Sequence, residues 1–222
     1  MRKFKAIYAD AVIKKVGEAG VEDNLPTAKS DKELAVIKDD RYLSTMSRRV
    51  FRAGLKHSMV DNKWPAFEKV FFGFDPYKVS MMSDEALEKL MQDKSIIRHF
   101  GKIKSVRKNA VMVVDKMKAY RSFANFISDW PSSNIVGLWK QLKAEGSQLG
   151  GNSGSYFLRM IGKDTFVLTD DVVKMLIMEE VVDKKPTSQR DLNKVQDAFN
   201  RWVDESGRRY CEISRILSYA AG

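Results

Sequence analysis

The sequence predicts an all-α protein of about ten helices in two lobes, joined by short loops. Three observations carry that prediction. Apolar residues recur at helical period through almost every segment, and no stretch shows the strict alternation of a half-buried strand. Helix-starting residues stand just ahead of these segments. The 222 residues are 44% apolar and 10% aromatic, a globular composition large enough to bury a real core. There is no repeat of fixed period and no low-complexity tract.

Taken in order, Phe4, Ile7, Tyr8, Ala11, Val12 and Val16 trace a stripe on a first helix that ends near Gly17–Gly20. Asn24–Thr27 reads as a loop. Ser30 and Glu33 have capping-box spacing for a short helix through Ile37. Residues 39–60 read as one longer helix, with Tyr42, Leu43, Met46, Val50, Phe51 and Leu55 on its apolar face. Trp64-Pro65 opens another carrying Phe67, Val70 and Phe71, and the pair Phe71-Phe72 reads as core. Gly73–Pro76 is a turn. Ser83 caps the next helix, with Asp84 and Glu85 suited to its first turn. Residues 102–118 are strongly amphipathic. Further helices follow at Tyr120–Trp130 and Ile135–Ala144, from Asn152 to Ile161, and from Thr169 or Asp170 to about Val182. The last two run from Ser188 to Trp202 and from Arg208 to Ala220, and close the first lobe against the N-terminal helix.

Lys and Arg exceed Asp and Glu by 39 − 29 = 10, which favours a polyanionic partner and salt-dependent binding. The single cysteine, Cys211, excludes an intramolecular disulfide and a cysteine-cluster metal site, and suggests a reducing compartment. No apolar run approaches membrane-spanning length, and Met1–Phe4 lacks a signal-peptide core. A monomeric cytoplasmic protein with no membrane partner is expected, nucleoid-associated if bacterial.

One stretch carries chemistry. In Ser147–Arg159 a glycine-rich turn feeds an amphipathic helix that Gly162 ends. Amides at such a turn, backed by the helix dipole, make a seat for phosphate. Leu149, Gly150, Gly151, Asn152 and Ser153 are the candidate phosphate contacts, with a monovalent cation on the turn's carbonyls as a further option. Arg98, His99, Lys102, Lys104, Arg107 and Lys108 add a basic run, of which Lys104, Arg107 and Lys108 share one helix side. An ordinary capped helix connection and a solvated charged face are the plainer readings of the same residues.

The stretch resembles the hairpin of the helix-hairpin-helix DNA glycosylases, with Leu149-Gly150 in the turn and Ser153-Gly154 at the usual small pair. The middle of the chain makes the resemblance specific: Phe51-Arg52-Ala53-Gly54-Leu55, Trp64-Pro65-Ala66-Phe67, Phe74-Asp75-Pro76-Tyr77-Lys78-Val79, Ile96-Ile97-Arg98-His99-Phe100-Gly101-Lys102-Ile103 and Asn109-Ala110. Together they resemble the DNA-3-methyladenine glycosylase I family, well from Tyr42 to Lys118 and more loosely from Leu138 to Val173. The resemblance implies a helix-hairpin-helix fold and double-stranded DNA with a damaged, alkylated base as partner. It also implies a base flipped into a pocket and cleavage of its N-glycosidic bond. A non-catalytic DNA reader on the same fold is the alternative.

The departures are informative. The family's glutamate four residues before Ala-Gly-Leu is Arg49, and its tryptophan two residues after the Leu is His57. A cationic Arg49 would repel a cationic methylated purine. The family's C-terminal zinc histidine is Asp171, with no cysteine nearby, so no zinc and no other cofactor is expected. Asp170 holds the position of the wider superfamily's catalytic aspartate, a carboxylate suited to the cationic sugar, and Asp171 is second choice; both also read as helix-capping residues. Asn152 replaces the lysine of lyase-type members, which implies monofunctional chemistry without a Schiff base. Arg49, His57, Trp64 and Tyr42 are the expected base pocket.

Overall fold

A computed structural model describes residues 1–222: fourteen α-helices, three short 3₁₀ turns and no strand. Most caps read from the sequence form as expected. Ser30 and Glu33 make the capping box of a five-residue helix, α3 (Asp31–Ala35), and the Ser83, Thr169 and Ser188 side chains accept from backbone amides three residues on.

The helix count exceeds ten because long stretches divide and short helices replace loops. Residues 39–60 are not one helix. Helix α4 (Asp39–Arg52) stops where Ala53 turns extended and Gly54 takes φ +74, a conformation that favours glycine. Helix α5 (His57–Val70) then starts earlier than expected and carries Pro65 inside it. The missing amide costs a hydrogen bond there, which burial of Val60, Trp64 and Phe67 outweighs. Glu18–Glu22 (α2) and Pro76–Ser80 (α6) are short helices to which the sequence assigned no element, the latter forming because Asp75 accepts from the Tyr77 and Lys78 amides and Pro76 suits the first position. Phe72 is a second correction: at φ +54 it is 54% exposed, and only Phe71 is core.

The chain forms two compact units, each drawn from separated segments. The first comprises residues 1–29, 131–138 and 162–222. Within it α1 (Phe4–Lys14) packs on α14 (Tyr210–Ala221), which also contacts α12 (Asp170–Met178) and α13 (Gln189–Ser206). Phe166 stacks on Phe199 at 4.1 Å, and Trp202 meets Phe199 edge-on. The Asp164 carboxylate caps α14 by accepting from the Tyr210 and Cys211 amides.

The second unit comprises residues 30–130 and 139–161. Its centre is α8 (Phe100–Tyr120), against which α4, α6, α7 (Asp84–Lys89) and α9 (Phe123–Ser128) pack. Phe51, Trp64, Phe67, Phe71 and Phe74 form a continuous aromatic stack in its core. Helix α11 (Ser153–Ile161) follows the hairpin and lies on α4.

Candidate functional site

The second unit carries an open cavity of about 530 Å³, lined by Arg49 and Arg52 of α4, the Ala53–Leu55 turn, His57 at the start of α5, and Tyr156 and Met160 of α11. The break between α4 and α5 creates this wall, because a continuous helix would carry residues 53–57 past it. Tyr156 and Met160 are four apart and therefore share one face of α11.

Arg49 is half-buried, its guanidinium carbon 4.6 Å from the centre of the Tyr156 ring. It forms no ion pair, and its buried Nε has no hydrogen-bond partner. Burial pushes its pKa down, opposed by Tyr156 and reinforced by Arg52. Arg52 instead has its charge answered: Nε and Nη2 bond the two oxygens of Asp61 at 3.1 and 2.6 Å. Behind the turn, buried Lys102 donates from Nζ to the carbonyls of Phe51 and Ala53 at 3.2 and 2.6 Å. A cation there satisfies the carbonyls that end α4 and fixes the cavity wall.

Two expected pocket residues lie elsewhere. Tyr42 is fully buried, packed edge-on to Phe123, and its hydroxyl donates to the Leu34 carbonyl at 2.9 Å. Trp64 is 2% exposed, stacked on Phe67 and Phe74, with its Nε1 donating to Ser44 Oγ at 3.0 Å. Both are core, so of the four expected residues only Arg49 and His57 reach the cavity. Arg52, Tyr156 and Met160 went unpredicted as pocket residues; the i, i+4 pair on the helix after the hairpin was the available signal.

The hairpin, residues 146–152, is held by a residue that stands in the family motifs but has no role assigned to it from sequence. Asn109 is fully buried on α8; its Oδ1 accepts from the Ser147 amide at 2.7 Å and its Nδ2 donates to the Ser147 carbonyl at 3.1 Å. A polar residue inside the apolar stripe of Val106, Ala110 and Val113 was the clue. Gln148 occupies the left-handed region at φ +59, and Gly151 follows at φ +56. Leu149 anchors the turn with its buried side chain, while Gly150 is partly exposed and Gly151 exposed. Ser153 N donates to the Gly150 carbonyl, and Tyr156 N to that of Asn152, starting α11.

The basic run divides. His99 caps α8 through Nδ1, which accepts from the Lys102 amide. Arg107 pairs with Asp84 and donates to the Met82 carbonyl. Lys104 and Lys108, four residues apart on α8, remain exposed.

In the first unit, Asp170 is the first residue of α12, its side chain 97% exposed and 3.4 Å from Lys185 Nζ. Asp171 accepts from the Ser218 hydroxyl at 3.3 Å. Thr169, not either aspartate, supplies the cap, accepting from Val172 N. The family's zinc site does not fit this donor set: no group of three or more His, Cys, Asp or Glu side chains is placed to hold a metal. No helix is long and apolar enough to cross a membrane.

The model of the methyladenine glycosylase family matches residues 22–149, more than half of the chain. The chain belongs to that family. It is 32% identical over 108 residues to DNA-3-methyladenine glycosylase 1 of Escherichia coli, covering 48% of this chain and 58% of the relative. With the DNA-3-methyladenine glycosylase of Haemophilus influenzae it shares 32% identity over 76 residues, 34% of this chain and 41% of that one. The match thus spans well under two thirds of either relative. Among solved structures, 3-methyladenine DNA glycosylase I of Staphylococcus aureus superposes with a TM-score of 0.52 at 20% identity, over 71% of this chain and 92% of that one. Another 3-methyladenine DNA glycosylase I gives 0.50 at 24% identity, over 64% and 86%. These likenesses establish the helical glycosylase fold.

Proposed function

We propose that the protein is a monofunctional DNA glycosylase of base excision repair, cleaving the N-glycosidic bond of a damaged base in double-stranded DNA. The observation that carries the reading is the cavity at the α4–α5 break, formed by the Arg-Ala-Gly-Leu segment that lies within the residues matching the family. Its volume suits a flipped base, with the Tyr156 ring and Met160 offering an apolar face. The relatives are named for 3-methyladenine, which makes an alkylated base the first substrate to offer.

The hairpin amides of Gly150 and Gly151 are assigned to a DNA phosphate, the turn's carbonyls to a monovalent cation, and Lys104 and Lys108 to further phosphates. As the bond breaks, the base leaves with the electron pair and the sugar becomes cationic. Asp170 is the carboxylate assigned to stabilise that cation and orient the incoming water, with Asp171 the second candidate. Asn152 stands at the lyase position and provides no amine, so strands stay intact until the abasic product is cleaved chemically. The reading implies a cytoplasmic monomer acting on the chromosome, without zinc.

The test is release of free bases from methylated and from deaminated DNA, beside Asp170→Asn. Wild type releases base, and the variant falls by about a hundredfold or more if the carboxylate stabilises the transition state. Absence of any free base from either DNA overturns the enzyme reading. Arg49 and His57, standing for the family's glutamate and tryptophan, favour one other reading, a DNA reader without turnover. It takes over if binding to abasic or distorted DNA persists in that case.

A further inference from the structure

We propose that the cavity selects a neutral or anionic base whose edge carries carbonyl oxygens, a deaminated base, and disfavours cationic methylated purines. The proposal rests on the glycosylase reading and names the substrate class of the same site.

The charges around the cavity point one way. Arg49, Arg52 and His57 line it, and no carboxylate does. Asp61 answers the charge of Arg52, while Arg49 has no anionic partner and keeps a buried Nε–H without an acceptor. Lys102 lies behind the Ala53 turn, adding positive potential and nothing that could pair with Arg49. Burial weakens the charged form of both cations, and each is further disfavoured by a cationic neighbour, Arg52 for Arg49 and Arg49 for Lys102.

A guanidinium whose buried Nε–H has no acceptor is costly, and the cost is recovered when a ligand supplies one. Its planar fork of N–H donors matches two neighbouring acceptors on the edge of a flat ring. Deamination creates such an edge by replacing an amino donor with a carbonyl acceptor. A methylated purine that is cationic in DNA brings a like charge into a site holding no anion to receive it. Tyr156 is already engaged by Arg49 at 4.6 Å, so the ring further favours keeping the guanidinium in the wall.

The experiment incubates the full chain with two DNAs, one treated with a methylating agent and one deaminated with nitrous acid, and identifies the released bases by chromatography. Wild type, Arg49→Gln and Arg49→Lys are compared. Wild type should release hypoxanthine, xanthine or uracil at least about tenfold faster than 3-methyladenine or 7-methylguanine, as expected for charge-assisted recognition. Arg49→Gln should remove most of that preference, and Arg49→Lys should retain part of it. Equal or faster release of methylated purines overturns the inference and leaves the glycosylase reading standing. Release of no base from either DNA overturns both. The wild-type preference decides the matter even if a variant folds poorly.

Discussion

Replacing Asn109 with alanine should unfasten the hairpin from α8. The side chain is fully buried and holds both polar backbone groups of Ser147, at 2.7 and 3.1 Å. Alanine leaves that N–H and carbonyl without their partners. An abandoned buried group costs about 1–3 kcal/mol, and Ser147 is only partly buried, so the lower half of the range applies to each; about 2–4 kcal/mol in total follows. Asn109→Asp separates the two bonds, because a carboxylate still accepts from the amide but meets the Ser147 carbonyl with a second acceptor. Its pKa should be raised by burial and by that carbonyl. The stability it confers is therefore present below its unfolded pKa, where the protonated acid donates, and is lost as pH rises through the folded value. Urea unfolding monitored by circular dichroism measures the loss, and hydrogen exchange of the Ser147 and Leu149 amides localises it. A cost below about 0.5 kcal/mol, the range of ordinary surface changes, or a loss without faster exchange in the hairpin, would refute the clamp.

Two further expectations concern the core and the ion pairs. Trp64→Ala should cost about 3–5 kcal/mol, since it removes the centre of the aromatic stack, whereas His57→Ala, an exposed cavity residue, should stay within about 0.5 kcal/mol. Thermal melts of the two variants give the comparison, and a stable Trp64→Ala protein would contradict its place in the core. In the first unit, hydrogen bonds from Arg208 hold the Glu22 carboxyl below its ordinary range, against the opposing effect of burial. A depressed folded pKa means that this contribution is present above the unfolded value near 4.3 and fades as pH falls through the lower folded one. Melting temperatures of wild type and Glu22→Gln should therefore differ at pH 7 and converge in acid; a constant difference would exclude the pair as the cause.

The sequence was most readable where a feature depends on residues close in the chain. The Ser30–Glu33 capping box, the Ser83 and Thr169 caps and the helix from the hairpin to Gly162 depend on hydrogen bonds or dihedrals a few residues apart. Where local signals conflicted, the reading failed. Pro65 looked like a helix start, but Trp64 and Phe67 on either side of it are drawn into one buried face. Tyr42 and Trp64, expected beside Arg49 and His57 as pocket aromatics, both end in the core with their polar atoms satisfied.

By itself, then, the sequence determined an all-helical chain, most of its helix caps, its basic excess and its glycosylase family. Period, capping and motif spacing are properties of neighbouring residues, and they survive without knowledge of what packs opposite. Only the tertiary structure decided that the α4–α5 break opens a cavity, that Tyr156 and Met160 from a segment a hundred residues later complete it, and that Asn109 pins the hairpin. It also decided which cations are spent: Lys102 on the carbonyls ending α4, Arg107 on Asp84, Arg52 on Asp61, with Arg49 left facing the cavity unpaired. Periodicity identifies the face of a helix that is buried. What that face meets depends on distant segments, and the meeting sets whether a side chain is filler, clamp or ligand contact.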